Sequence, residues 1–426
     1  MTAFFTDQYE FTMLTAALRD GTAERDCVFE LFGRRLPPGR RYGVVAGTGR
    51  LLDGIREFKF TEAELSWLAE KRIVNDEIVD WLANYRFSGD IDGYAEGELY
   101  FPGSPILTVT GTFAECVILE TLALSILNHD CAVASAAARM VTAARGRPII
   151  EMGSRRTHEE AAVASARAAY LAGFASTSNT AAGLRYGIPT AGTAAHAFTL
   201  LHDNEKTAFA SQVDVFGVDT TLLVDTYDIT QGIRNAIEIA GPRLGAIRID
   251  SGDLSILAQQ SRELLDSLGA VDTKIIVSGD LDEHSIAALA AEPVDVYGAG
   301  TSVVIGSGAP TAGLVYKLVE VEGRPVVKRS ENKATVGGRK TAVRRHKPTG
   351  TAIEEVIASQ GTPEHETGDR ALQRAFLRNG EPVKDLPTLD DSREHLRQGL
   401  ISIPWEGLKL SPGDPAIPVI ATGGQS

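Results

Sequence analysis

Six short clusters of small, polar and charged residues stand out between Pro148 and Ser302: EMGSRRTH (151–158), STSN (176–179), AGTAAH (191–196), DTYD (225–228), RIDSGD (248–253) with SGDLDEH (278–284) behind it, and YGAGTS (297–302). RIDSGD is the densest. Arg248 beside Asp250 and the Ser251-Gly252 turn can gather an anion, a sugar diol and Mg2+ within a few ångströms. A plainer use of the same residues is a helix cap by Ser251 or Asp253 and a surface ion pair. SGDLDEH adds Gly279 and Asp280 at a second turn, which can also be a cap. In YGAGTS, Gly298 and Gly300 let backbone N–H groups approach an anion, and Thr301 and Ser302 add hydroxyls. A GxG alone is common in turns. Arg155 and Arg156 are adjacent, so one faces inward to meet a pyrophosphate or carboxylate while the other pairs with Glu159 or Glu160. His196 can act as base, metal ligand or phosphate acceptor, or be a loop histidine bonded to a backbone carbonyl. His129, His202, His346, His365 and His395 lack such surroundings and read as structural or surface groups.

Each cluster follows a short apolar run and precedes a helical stretch, the signature of parallel βα units. Strands are expected at 148–152, 173–176, 188–192, 221–225, 245–250, 273–278 and 294–297. In a β/α barrel the loops after the strands share one mouth, so the clusters form a list of candidate site residues. The fold class is therefore α/β. A β-rich front part (residues 1–140) precedes the barrel (141–312), and a return segment (313–426) opens with the meander AGLVYKLVEVEGRPVVKRS. The long small-residue stretch from Ala114 to Ala144 reads as helix. The tail from Lys347 is charged and loop-rich and is expected on the surface.

The chain has 426 residues with 43% hydrophobic content, enough for a large core. A net charge of −14 argues against a nucleic-acid partner, since a phosphate backbone must be met by clustered Lys and Arg. Cys27, Cys116 and Cys131 are odd in number and irregularly spaced, fitting neither a disulfide framework nor a zinc site; buried thiols in a reducing cytoplasm are expected. MTAFFTDQYEFTM has no basic segment followed by an apolar core, and the apolar stretch near Val117–Leu127 is too short to span a bilayer, so no membrane association is expected. Walker A, GxGxxG, HExxH and GxSxG motifs are missing from the sequence.

TDQYEFTM, EMGSRRTH, STSNTAAGLRYGIPTAGTAAH, RIDSGD, SGDLDE and YGAGTS, in this order and spacing, closely resemble nicotinate phosphoribosyltransferases, from about Thr6 through the segment at 330–340. The resemblance implies a type II phosphoribosyltransferase fold: an irregular parallel β/α barrel with an α/β sandwich domain built from the front part and the segment after the barrel. It implies a homodimer with shared active sites. The implied reaction turns nicotinate and phosphoribosyl pyrophosphate into nicotinate mononucleotide and pyrophosphate, coupled to ATP hydrolysis and served by Mg2+. By motif, His196 would be phosphorylated by ATP. Asp250 and Asp280 would meet ribose hydroxyls or Mg2+, and Gly279, Gly298, Gly300 and Thr301 would hold the 5′-phosphate. Arg155 or Arg156 would stabilise the departing pyrophosphate. Arg248 would lie beside the pyridine ring and the donor, with Ser178, Asn179, Thr193 and Ser251 lining the substrates. Tyr9 would stack on the ring across the dimer, or else pack the first helix.

Two departures stand out. Ala197 follows the histidine where relatives commonly carry Ser, and Gly337-Gly338 replaces the usual Pro-Gly, which questions the rigidity of that turn. Within the class, a nicotinamide phosphoribosyltransferase would place an acidic side chain where Asn179 stands, and an Asp there would repel a carboxylate substrate. A quinolinate enzyme needs more basic residues and uses no ATP. From other classes, a sugar-phosphate aldolase or isomerase barrel would need a Lys or Glu base that the clusters lack, and a non-catalytic sensor would not need His196 together with RIDSGD.

Overall fold

The computed structural model describes residues 2–328, 336–359, 361–364 and 366–422. His365 and the stretch 329–335 lie outside them. The chain divides into two compact units, residues 1–135 with 311–426, and residues 136–310.

The first unit is built on a seven-stranded antiparallel sheet whose central members are Leu314–Val321, Asp26–Gly33, Leu107–Thr112, Asp90–Tyr94 and Gln373–Arg378. The front strand Asp26–Gly33 pairs in register with the return strand, Phe29 opposite Leu318 and Leu31 opposite Tyr316. VFELF alternates in type, yet Glu30 in its middle is fully buried and its carboxylate is held by Lys340 Nζ at 2.6 Å. A strand with neighbours on both sides and cover over both faces has no water face for the polar slot, so a buried ion pair fills it.

The tail after Lys347 departs from its expected place on the surface. Ala352–Ala358 and Val419–Thr422 join Thr341–His346 in a second sheet, and Gln373–Arg378 joins the first. The reason lies in its charges, which are consumed internally. Arg344 is 0% exposed between Glu98 and Glu355, and Glu98 also accepts from Arg370 at 2.6 Å and from His395 at 2.8 Å. Charge there marked a buried network, not a solvated face.

Gly338 has φ +86°, where glycine is favoured, and a Cβ on Gly337 would lie 2.8 Å from Val326 O. The Gly-Gly pair is thus fixed by close backbone approach rather than by a proline ring.

The second unit carries a curled, six-stranded parallel sheet in the order Ser176–Thr177, Ile149–Glu151, Val296–Ala299, Lys274–Ser278, Ala246–Ile249, Thr221–Leu223. Its apolar runs, such as Ile275-Ile276-Val277, are buried, as expected for parallel strands. The strand expected at 188–192 is reduced to a single bridge between Thr177 and Thr190. Pro189 offers no N–H to a ladder and Gly187 ends the preceding helix in a left-handed conformation, so pairing stops at that one bridge. The barrel is therefore a half-barrel. Leading into this unit, Glu120–Ala144 is a helix rich in buried alanines. By length and composition the stretch Phe113–Ala144 could cross a bilayer, but 61% of its apolar window is buried inside the protein.

Candidate active site

The strand-end clusters divide their acids between two tasks. The later acid of each caps the next helix: Asp228 accepts from Gln231 N at 2.7 Å, Asp253 from Ile256 N at 3.3 Å and Asp282 from Ser285 N at 2.8 Å. Capping satisfies the orphan N–H groups of the first turn. The earlier acids, Asp225, Asp250 and Asp280, stand at the strand ends themselves.

Arg248 is the hub. Its Nη2 donates to Asp250 Oδ1, its Nε to Ser278 Oγ and its Nη1 to Thr193 Oγ1, each at 2.8 Å. One guanidinium thus ties together three strand-end loops, which its planar fork suits. Asp250 also accepts from Ser278 Oγ at 2.5 Å. Burial raises the Asp250 carboxyl, but the Ser278 hydroxyl, the Arg248 guanidinium and nearby His196 outweigh it and hold Asp250 below the usual carboxylate range.

His196 opens the helix His196–Leu201. Its Nδ1 lies 3.1 Å from Thr226 Oγ1 and its Nε2 lies 3.8 Å from Asp225 Oδ1. The Asp225 side chain is 1% exposed, and Oδ1 is a buried oxygen with no hydrogen-bond partner. Its other oxygen, Oδ2, accepts from Asp250 N and Ser251 Oγ, both at 2.8 Å. Asp225 therefore joins the histidine loop to the RIDSGD loop. Such a carboxylate favours the tautomer with the proton on Nε2, leaving the Nδ1 lone pair toward Thr226.

Gly279 has φ +111° and a Cβ there would meet Asp250 O at 2.6 Å, so glycine is required where the two turns touch. Asp280 adopts φ +42°, uncommon for a residue with a side chain, and lies 3.4 Å from Thr301 Oγ1. Gly298 is buried within its strand, where a Cβ would meet Met152 Sδ and Ser278 Cβ at 2.9 Å. Its bareness serves packing, and Gly300 and Thr301 are left at the strand end. Asn179 caps its helix through Oδ1, 2.9 Å from Ala182 N, and donates from Nδ2 to Ser154 Oγ at 3.0 Å. Ser178 is exposed at the same loop.

Arg155 and Arg156 are both exposed, and the expected pairing with Glu159 or Glu160 is not formed. Glu159 faces His158 at 3.7 Å and Glu160 faces Arg185 at 3.4 Å; His158 caps the helix that carries both carboxylates, and Arg185 sits on the next helix, Thr180–Tyr186. Among the described residues no group of three His, Cys, Asp or Glu is arranged to hold a metal. Tyr9 lies in the first unit, on helix Gln8–Asp20, and is 46% exposed.

Sequence reasoning singled out DTYD as a cluster without choosing Asp225 or Thr226, and it passed over Ser278 and Glu151. The signal was position. Asp225 and Ser278 occupy the strand-end slot that Asp250 occupies in RIDSGD, and Glu151 ends its strand directly.

Residues 4–128 match the family described as the nicotinate phosphoribosyltransferase (NAPRTase) N-terminal domain, and residues 133–307 match the quinolinate phosphoribosyl transferase C-terminal domain. A nicotinate phosphoribosyltransferase of Mycobacterium tuberculosis is 61% identical over 422 residues, covering 97% of this chain and 94% of that protein. The crystal structure of human nicotinic acid phosphoribosyltransferase superposes with a TM-score of 0.85 at 27% identity, covering 98% of this chain and 97% of that one. A nicotinate-nucleotide pyrophosphorylase from Pyrococcus furiosus shares the fold, with a TM-score of 0.77 at 23% identity over 94% of this chain and 95% of that one. With its two-part family match and a relative so similar over nearly its whole length, the chain belongs to the nicotinate phosphoribosyltransferase family.

Proposed function

We propose that the protein joins nicotinate to the ribosyl carbon of phosphoribosyl pyrophosphate, giving nicotinate mononucleotide and pyrophosphate, in salvage of nicotinate for NAD biosynthesis. ATP is hydrolysed to ADP and phosphate alongside, by way of a phosphorylated His196. The observation that carries this reading is the convergence of Arg248, Asp250, Ser278 and Thr193 on one hydrogen-bonded hub beside His196 and its Asp225–Thr226 support. In the transfer, the pyridine nitrogen bonds to the anomeric carbon while the bond to pyrophosphate breaks and pyrophosphate leaves with the electron pair. Positive charge builds on the ribosyl carbon and negative charge on the leaving group, so fixed cations and an ionised Asp250 act where charge develops. Arg155 or Arg156 meets the pyrophosphate, and Gly279, Gly300 and Thr301 meet the 5′-phosphate. Arg248 fixes the geometry beside the base.

His196 in its neutral form is a suitable nucleophile toward the γ-phosphorus of ATP, with ADP as the leaving group, and Asp225 offsets the charge that the ring gains. Asp250 and Asp280, on adjoining strand ends, would hold Mg2+, whose preference for carboxylate oxygen they fit. Once bound, it offsets phosphate charge. The active assembly is a homodimer in which Tyr9 of one copy stacks on the pyridine ring in the other. Buried free thiols at Cys27, Cys116 and Cys131 fit a cytoplasmic location.

The test is turnover of the purified protein with Mg2+ and phosphoribosyl pyrophosphate. Nicotinate should be used about tenfold or more faster than nicotinamide, and ATP should raise the yield of mononucleotide. Equal use of nicotinamide, or no product from nicotinate, contradicts the reading.

A further inference from the structure

Glu151 closes the strand Ile149–Glu151 and is 1% exposed. Its Oε1 accepts from Gly153 N and its Oε2 from Thr177 Oγ1, each at 2.5 Å, while its backbone carbonyl accepts from Ser178 N at 2.8 Å. The Thr177 hydroxyl oxygen in turn accepts from Asn179 N at 3.0 Å, and Asn179 Nδ2 returns to Ser154 Oγ at 3.0 Å. A closed ring therefore runs Glu151, Thr177, Asn179, Ser154 and back along the chain through Gly153. The ring joins the loop that presents Arg155 and Arg156 to the loop that presents Asn179.

Both side-chain partners of Glu151 are neutral donors. Burying a carboxylate with only such partners is costly, and burial pushes this carboxyl up against the opposing pull of the Thr177 and Gly153 bonds. What the carboxylate offers is two acceptor oxygens at once. A glutamine of the same shape accepts from one loop and turns an NH2 toward the other. If it faced Gly153 N–H, two donors would meet; if it faced Thr177, the hydroxyl would lose its acceptor.

We propose that Glu151 is a positioning residue that sets the leaving-group loop and the base-binding loop as one unit, so that a single side chain governs two subsites. The proposal rests on the phosphoribosyl-transfer reading above. It does not place Glu151 in contact with substrate.

The test compares Glu151→Gln with Thr177→Val and Asn179→Ala in the full-length protein. Glu151→Gln should raise both the KM for nicotinate and the inhibition constant of product pyrophosphate by about tenfold, the worth of one buried hydrogen bond. It should also speed amide hydrogen exchange in both 153–158 and 177–183. Thr177→Val cuts only the second arm, so it should shift nicotinate KM and exchange at 177–183 and spare the pyrophosphate constant; Asn179→Ala also removes the bond to Ser154 Oγ, so it should speed exchange in both segments. A fall in kcat alone, with both constants unchanged, reduces Glu151 to a packing role and overturns the proposal. So does a Glu151→Gln protein whose exchange changes at one loop only. Should Glu151→Gln fail to fold, a Thr177→Val protein with an unchanged nicotinate KM overturns it equally. If the parent protein makes no mononucleotide, the transfer reading fails, while hydrogen exchange still decides whether Glu151 couples the loops.

Discussion

At the residue scale, the site depends on Arg248 having three partners rather than one. Arg248→Lys keeps the charge but cannot reach Asp250, Ser278 and Thr193 together, so kcat/KM should fall by about two orders of magnitude in steady-state assays, more than a change in charge explains. Asp250 gives a pH prediction. Its carboxyl is held low, so the ionised form proposed to bind the donor persists as the medium is acidified. Ser278→Ala removes the largest opposing contribution and leaves burial against Arg248 and His196. The Asp250 pKa then rises, and the acid limb of the kcat/KM profile should move to higher pH; an unmoved limb separates Asp250 from donor binding. RIDSGD and AGTAAH were legible in the sequence because dense, mixed polar clusters after apolar runs are unusual. Asp225 and Ser278 were not, because a lone Asp or Ser at a strand end looks like a cap until a tertiary partner is seen.

At the scale of elements, the helix Gln8–Asp20 carries a titration of its own. Glu10 is fully buried, with one oxygen bonded to Thr121 and Oε2 without a partner, and burial pushes it up to about 8. An unfolded glutamate titrates near about 4.3, so the folded state binds the extra proton between these values. Stability from neutral Glu10 is fully present below about pH 4 and is lost as the pH rises through about 8. Glu10→Gln should flatten that slope, so urea denaturation should find the variant gaining on its parent between pH 5 and pH 8. The Arg344 network behaves oppositely. Burial raises Glu98, but Arg344, His395 and Arg370 hold it well below the usual range. Its stabilisation is present above about pH 4 and is lost as the pH falls through the lowered value. Arg344→Ala leaves buried Glu355 without its cation and Glu98 with only Arg370 and His395, and should cost about 3–5 kcal/mol, read from the same denaturation curves. Charge runs in the tail misled the sequence reading for this reason: pattern gives the sign of a residue, not the partner waiting in another strand. The strand expected at 188–192 failed similarly, since Pro189 removes a donor that only strand pairing would have required.

At the scale of the whole molecule, the sequence motifs were enough to establish the α/β class and the pairing of front and return segments, since strand Asp26–Gly33 and strand Leu314–Val321 share apolar faces that need each other. The proposed sharing of active sites between two copies gives a prediction at this scale. Tyr9→Ala and His196→Ala proteins should each be nearly inactive in ATP-coupled turnover. Co-expressed in equal amounts, half of the dimers are mixed and one of their two sites is intact, so about a quarter of the parent activity should return. No recovery in a mixture shown to contain mixed dimers would place Tyr9 and His196 in the same copy's site.

The central claim is that His196 links ATP to phosphoribosyl transfer, and it is tested by mass spectrometry of the protein after incubation with ATP and Mg2+. An acid-labile phosphate on His196 that disappears when nicotinate and phosphoribosyl pyrophosphate are added is the expected result. An unphosphorylated His196, or a His196→Ala protein that keeps its full stimulation by ATP, contradicts the account.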